Sequence, residues 1–259
     1  MSSLQKESKP IYNGTILHSN STDFKPPSDL PSFVFESSLH LSIIPFIQTM
    51  RKKAQTREPV WLIINIEPVE DKISNEEFGD IEQNLESYTG WTQKTNSRGS
   101  HFLQYTEVEY TTDKLNVISR VEYNQQAVKS IHRTKSVLLT STTQLEQPFE
   151  AWTICNSAVE WTEIDKDDLP TTVTPTSVKI LHEKIFEKGP WLIRLVRSWL
   201  GNNIIEAEQK QRGGSKTCVF SISVELIKPW ELIEERGSTD INISGAFIQR
   251  IMACLESIK

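Results

Sequence analysis

Residues 219–227 read Val-Phe-Ser-Ile-Ser-Val-Glu-Leu-Ile, a strict two-residue alternation. In an extended strand successive side chains point to opposite faces. Phe220, Ile222, Val224 and Leu226 therefore share one face, and Ser221, Ser223 and Glu225 share the other. Carboxylates repeated on such a polar face can converge with those of neighbouring strands on a hard divalent cation, which takes oxygen ligands. Glu225 is the one carboxylate among these three positions, so it reads as a residual cation ligand or as a lone carboxylate paired with a base. Glu107-Val108-Glu109 is the alternating glutamate pair on a predicted strand, a second metal candidate or else a solvated face. Asp165, Asp167 and Asp168 lack the frame of an EF-hand loop. His101, His132 and His182 show no partner pattern for a triad. Cys155, Cys218 and Cys254 stand far apart in apolar surroundings, as structural thiols do, without zinc-ligand spacing.

The elements that must carry these residues follow from periodicity. Residues 1–32 are polar, contain Pro10, Pro26, Pro27 and Pro31, and read as a loose arm; residues 33–259 read as one domain. Leu39 to Met50 is an apolar block in which a short helix starts near Pro45 and closes with Arg51-Lys52-Lys53. Val60–Ile66 is a strand apolar on almost both faces. Ser74-Asn75-Glu76-Glu77 is a capping box that opens a helix with Phe78, Ile81, Leu85 and Tyr88 on one stripe, and Gly90 is a stop. From Phe102 to Trp161 the chain is β-branched or aromatic in four runs, 102–111, 115–123, 127–140 and 151–161. Further strands are predicted near Lys179–Glu187, Trp191–Leu200 and Asn203–Gln209, before the strand at 219–227. A final helix begins at Ser244 with the stripe Phe247, Ile251, Leu255 and Ile258. About eight or nine consecutive antiparallel strands with helices at both ends predict an α+β protein built as a sandwich or a closed barrel.

Composition bounds the function. Of the 259 residues, 37% are apolar and 24% charged, enough to bury a core, and the net charge of −6 does not advertise a nucleic-acid or anionic-membrane partner. No apolar run approaches the ~20 residues of a membrane span. The N-terminus carries no apolar stretch of the signal-peptide kind, so an intracellular, reducing setting is expected, and Asn13 and Asn20 are chance matches to the glycosylation acceptor.

Taken in order, these elements resemble the fungal mRNA 5′-triphosphatases, the capping-enzyme β subunits of the triphosphate-tunnel family. The resemblance runs from about Leu39 to the C-terminus. It rests on Val60–Ile66 with the exit Glu67-Pro68-Val69-Glu70-Asp71-Lys72, on the capped helix, and on Ile118–Asn124. It extends to Ser130-Ile131-His132-Arg133-Thr134-Lys135, Phe149–Val159, Trp191–Arg197 and Phe220–Leu226. It implies a closed antiparallel β-barrel of about eight strands, in which glutamates on facing strands hold Mn²⁺ or Mg²⁺ while arginines and lysines hold a triphosphate for attack by water.

The departures from that pattern are concentrated at the metal. The first strand's glutamate positions fall on Trp61 and Ile63 and its basic position on Asn65. An aspartate, an arginine and a serine of the family fall on Glu150, Trp152 and Ile154, and a further aspartate falls on Arg194. Glu225 alone remains of three alternating glutamates. Remnant catalytic candidates are therefore Glu225 and Glu150, with Glu225 the one candidate metal ligand; its alternative is pairing with Arg120 or Lys135. Basic positions match better at Arg120, Arg133 and Lys135, candidate phosphate ligands or solvated charges, with Lys184 a further match. Large apolar residues in the lumen would fill it, as in other small barrels; the alternative is that these strands are shifted and their apolar residues face outward.

The resemblance, so altered, implies a catalytically degenerate protein with no cofactor, acting as a binding or scaffold subunit in nuclear RNA or transcription machinery. Protein partners, a homodimer and an RNA 5′ end are the partners it suggests, and a membrane is not. The alternative is an active polynucleotide 5′-phosphatase that removes the γ-phosphate of nascent mRNA with Mn²⁺ or Mg²⁺. The family's tryptophan-bearing peptide for the guanylyltransferase has no counterpart in 1–32, since the first tryptophan is Trp61.

Overall fold

The computed structural model describes residues 32–54, 60–70, 72–88, 90–95, 100–111, 116–123, 128–165, 174–233 and 238–256. The arm read at 1–32 lies outside them except for Ser32, as do Asp167, Asp168 and Ile258. Helix α1 (Ser32–Ala54) buries Leu39, Ile43, Phe46, Ile47 and Met50 at helical spacing. It begins well before Pro45, which sits inside it. A proline there cannot bond the carbonyl of residue 41, but Leu41 is 73% exposed, on the side of the helix that water reaches. Helix α2 (Asn75–Ser87) starts at the capping box, with Ser74 Oγ accepting from Glu77 N at 3.1 Å and Ser74 N donating to Glu77 Oε2 at 2.7 Å.

The strands are β1 (Val60–Pro68), β2 (Thr92–Gln93), β3 (Leu103–Thr111), β4 (Asn116–Tyr123), β5 (Val128–Gln144), β6 (Trp152–Glu163), β7 (Ser177–Lys188), β8 (Trp191–Gly201) and β9 (Val219–Leu226). The order β7-β3-β4-β5-β6-β1-β9-β8 closes back on β7 through antiparallel pairs, and β2 adds a short rung to β7. The closed antiparallel barrel with flanking helices is thus the α+β architecture expected.

Two expectations give way. Asn203–Gln209 is not a strand but the start of α3 (Ile204–Arg212). Asn203 Oδ1 caps it by accepting from Glu206 N at 3.0 Å, and only Ala207 is buried, so Ile204 and Ile205 imitate a strand's β-branched run while pointing into solvent. After a short helix α4 (Pro229–Ile233), the last helix, α5 (Asp240–Leu255), begins before Ser244, with Thr239 as its cap. Ser244 is buried instead, bonded to His40 Nδ1 of α1.

One large core lies outside the barrel wall. Leu62, Ile64, Ile66, Ile154, Ile222 and Val224 meet the apolar faces of α1, α2 and α5 there, with Phe78 4.7 Å from Phe220 and Trp191 edge-on to Phe247 at 4.6 Å. Since period two sends alternate residues to opposite faces, this packing turns the intervening residues into the lumen.

Candidate functional site

Register fixes the lumen face. Ile63 of β1 lies opposite Glu225 of β9 and Ser157 of β6, and Asn65 lies opposite Ser223 and Cys155. Arg194 of β8 lies opposite Ser223 and Ile185, and Glu107 of β3 opposite Arg120 and Lys179. Trp61, Ile63 and Asn65 therefore face inward, as the resemblance implies. Trp152 and Ile154 do not: they are 6% and 0% exposed in the outer core. The β6 residues that face the lumen are Thr153, Cys155, Ser157, Val159 and Trp161, one place out of step with the expected register. Along that wall the lumen is polar at Thr153–Ser157, where Thr140 and Thr142 of β5 are exposed and Thr140 Oγ1 meets Ser157 Oγ at 3.5 Å. It is apolar towards the start of β1, where Trp61 lies opposite the buried Val159 and 6.0 Å from the ring of Trp161.

The opposite wall is closed differently. Leu103, Ile185 and Leu192 form a small buried cluster at the end where β8 begins, with Tyr105 packed on it. Below it runs a chain of ion pairs. Arg194 Nε donates to Glu225 Oε1 at 3.0 Å and Nη2 to Oε2 at 3.1 Å, a two-pronged grip, while its Nη1 donates to Glu183 Oε2 at 3.0 Å. Ser223 Oγ donates to the same Glu225 Oε1 at 2.8 Å. Arg120 then joins Glu183 at 3.3 Å to Glu107 at 2.9 Å, and Lys179 lies 3.7 Å from Glu107 and 3.9 Å from Glu109. Cations and carboxylates alternate along the whole row.

Burial sets the strength of this row. The side chains of Glu183, Glu225 and Arg194 are 1%, 5% and 13% exposed. Burial alone would push the Arg194 guanidinium down, but Glu225 and Glu183 outweigh it and hold it above its usual range. For Glu107 burial pushes the carboxyl up, and Arg120, with Lys179 and Arg194, brings it below the ordinary value. Charges this deep are tolerable only because each is paired and hydrogen-bonded.

The sequence-predicted residues distribute as follows. Glu225 pairs with Arg194, not with Arg120 or Lys135. Glu107 and Glu109 face the lumen rather than solvent, and both are held by bases. Glu150 is exposed in the turn before β6, where a cleft of about 1270 Å³ also contains Glu70, Glu76, Asp80 and Lys72; it does not join Glu225. Lys184 points outward to Glu82 and Glu86 of α2, and Arg197 bonds Glu82 Oε2 at 2.6 Å, so these bases dock the helix rather than line the tunnel. Arg133 and Lys135 do face the lumen, near the end where β1 starts. Arg133 lies 2.9 Å from Glu163 and over Trp61 at 5.9 Å, and Lys135 lies over Trp161 at 6.0 Å. Arg133 Nε and Trp161 Nε1 are buried there without a hydrogen-bond partner among the described residues. Glu183 was missed, since it stands between His182 and Lys184 and no local pattern sets it apart from those outward-facing polar neighbours. Arg194 stood out in Trp-Leu-Ile-Arg-Leu-Val, and only as a departure.

A divalent metal does not fit this arrangement. Mn²⁺ or Mg²⁺ needs close, near-octahedral oxygens. Both oxygens of Glu225 are already committed, its cross-strand neighbour on β1 is Ile63, and a fixed guanidinium lies between it and Glu183. Among the described residues no three His, Cys, Asp or Glu side chains come together as a metal group.

No family model matches the chain, and no curated protein sequence does. Solved structures do match. The S. pombe Pct1 RNA triphosphatase superposes with TM-score 0.56 at 11% identity, over 86% of this chain and 89% of that one. Pct1 in complex with the Spt5 CTD gives 0.57 at 9%, over 86% and 94%. The Mimivirus capping enzyme triphosphatase gives 0.56 at 9%, over 85% and 96%. With the closed barrel and its inward charges already in hand, these likenesses settle the architecture: the chain has the triphosphate-tunnel fold of the RNA triphosphatases.

Proposed function

We propose that this protein is a catalytically degenerate RNA 5′-triphosphatase, a tunnel kept as a scaffold and used to bind partners in nuclear RNA or transcription machinery. One observation carries the reading: Arg194 occupies the space between Glu225 and Glu183 and neutralises both, so the carboxylates that would hold a metal hold an arginine instead. Ile63 opposite Glu225 supports it, since a ligand pair across β1 and β9 is missing. The partner class is a polypeptide of that machinery, by analogy with Pct1, whose fold is shared and whose structure includes the Spt5 CTD.

The test has two parts. Purified protein incubated with triphosphate-ended RNA and with ATP should release no γ-phosphate with Mn²⁺ or Mg²⁺, and affinity capture from nuclear extract should return a defined protein partner. Metal-dependent release abolished by Glu225→Ala would establish the active phosphatase instead.

A second reading has its own support. Arg133 and Lys135 sit beside Trp61 and Trp161 at one mouth, among the described residues no carboxylate pairs with Lys135, and the two orphan N–H groups there are donors only. That set suits recognition of an RNA 5′-phosphate end without hydrolysis. Binding of triphosphate-ended over hydroxyl-ended RNA, lost in Lys135→Gln, is the result it requires.

A further inference from the structure

On the outside of the barrel, away from the lumen charges, Arg250 of α5 is a cation without a counter-ion among the described residues. Its guanidinium carbon lies 4.1 Å from the ring centre of Trp191 and 5.6 Å from that of Trp91. Nη1 donates to Ala246 O at 2.6 Å, one turn back on its own helix. Nε is buried with no partner among the described residues, and so is the Nε1 of Trp91 beside it. Arg250 as a whole is only partly exposed. Glu256, the nearest acid along the helix, lies six residues on and so about 240° around it.

That arrangement is costly as it stands. A buried charge is ordinarily paired, and a buried N–H without an acceptor forfeits the hydrogen bond it made with water. Stacking on two indoles offsets part of this cost, since the ring faces attract a cation. It leaves the donors unsatisfied. Burial alone pushes the guanidinium down to about 9, with nothing opposing it. Elsewhere in this protein the comparable arginine, Arg194, is held by two carboxylates; Arg250 has the same burial problem and no described protein group to solve it. The two atoms of this cluster that are buried without a partner among the described residues, Arg250 Nε and Trp91 Nε1, are both donors. Two indole faces fix the guanidinium plane, as happens where arginine reads a carboxylate or phosphate.

We infer that Arg250, Trp91 and Trp191 form an anion-receiving notch, built to take one oxyanion, a carboxylate or a phosphate group, presented by a partner. The fork of Arg250 supplies two donors and the charge, Trp91 Nε1 supplies a further donor, and Trp191 with Phe247 beneath it holds the guanidinium in place. The notch lies outside the lumen, so it works whether or not the tunnel is catalytic.

The test reads the indole N–H resonance of Trp91, assigned by its loss in Trp91→Phe, in the full-length protein. Titration with inorganic phosphate, and separately with acetate, at ionic strength held constant with chloride, should shift that resonance saturably with at least one of the two. Response to phosphate alone marks a phosphate site, and response to acetate alone or to both marks a carboxylate-competent one. Arg250→Met should abolish the shift while leaving the anion-free protein at least as stable, because an apolar stem replaces an uncompensated cation. Arg250→Lys, which keeps charge without the fork, should weaken affinity by about tenfold, the worth of one good hydrogen bond. No saturable shift with either anion, or an equal shift in Arg250→Met, overturns the proposal. A collapse of the anion-free fold in both Arg250→Met and Arg250→Lys also overturns it, since the guanidinium would then serve the core alone.

Discussion

Arg194 grips Glu225 with two parallel N–H···O bonds, Nε to Oε1 at 3.0 Å and Nη2 to Oε2 at 3.1 Å. The two residues stand on adjacent strands of the barrel, and the third arm of the guanidinium reaches Glu183 on the next strand. A metal-binding tunnel brings carboxylates together around a cation it can exchange. Here the cation is covalently part of the wall. From that relationship the behaviour of the lumen under substitution follows.

Removing the arginine should be severe. Arg194→Met leaves Glu225 buried without a counter-ion and Glu183 with Arg120 as its one remaining base, and breaking a buried pair from one side costs about 3–5 kcal/mol. Urea unfolding should show that loss with little change in slope. Glu225→Gln, which keeps the shape and one acceptor, should cost less.

A metal site should be buildable in this lumen. Ile63 is the cross-strand neighbour of Glu225, so Ile63→Glu combined with Arg194→Gln adds a carboxylate on β1 beside Glu225 and takes the guanidinium away. Mn²⁺ should then raise the Tm of the double variant measurably and show a bound signal by electron paramagnetic resonance. The unsubstituted protein should show neither.

The row of pairs also sets an acid limit. Glu107 titrates below its usual 4.5 despite burial, because Arg120 and its neighbours favour the ionised form. A carboxylate with a lowered native value contributes stability that is present above its unfolded value, about pH 4.5, and is lost as pH falls through the native value. Tm should hold from pH 7 to about 5 and then drop. Glu107→Gln should shorten that drop while lowering the plateau.

Much of this was legible in the sequence, for identifiable reasons. The strand at 219–226 carries its register in plain alternation, and the Ser74–Glu77 box marks the start of α2. The site is legible up to its partners: the resemblance places Ile63 and Asn65 in the lumen, and Glu225 reads as a residual cation ligand or a lone carboxylate paired with Arg120 or Lys135, whereas it pairs with Arg194. What failed was parity on β6, where both faces are rich in small or apolar residues. Trp152 and Ile154 look like lumen fillers until the helices that bury them are known. Arg194 could be seen as a departure, but its bond to Glu225 depends on β8 and β9 being neighbours, a fact of topology that no local pattern contains. Ile204 and Ile205 deceived for the opposite reason, a strand-like pair in a helix set by its cap at Asn203.

The cap of α2 gives a simpler check on the outer shell. Ser74→Ala removes the acceptor for Glu77 N and should cost about 1 kcal/mol by thermal or urea unfolding. Lys184→Met, which takes a cation away from Glu82 and Glu86 of the same helix, should loosen α2 further and raise amide exchange along 75–87.

The proposal that Arg194 takes the place of a metal in the lumen is tested most directly by γ-phosphate release from triphosphate-ended RNA, measured with and without Mn²⁺ in the native protein and in Glu225→Ala. No release above background is expected in either protein, with or without metal. Mn²⁺-dependent release by the native protein that vanishes in Glu225→Ala would contradict that proposal.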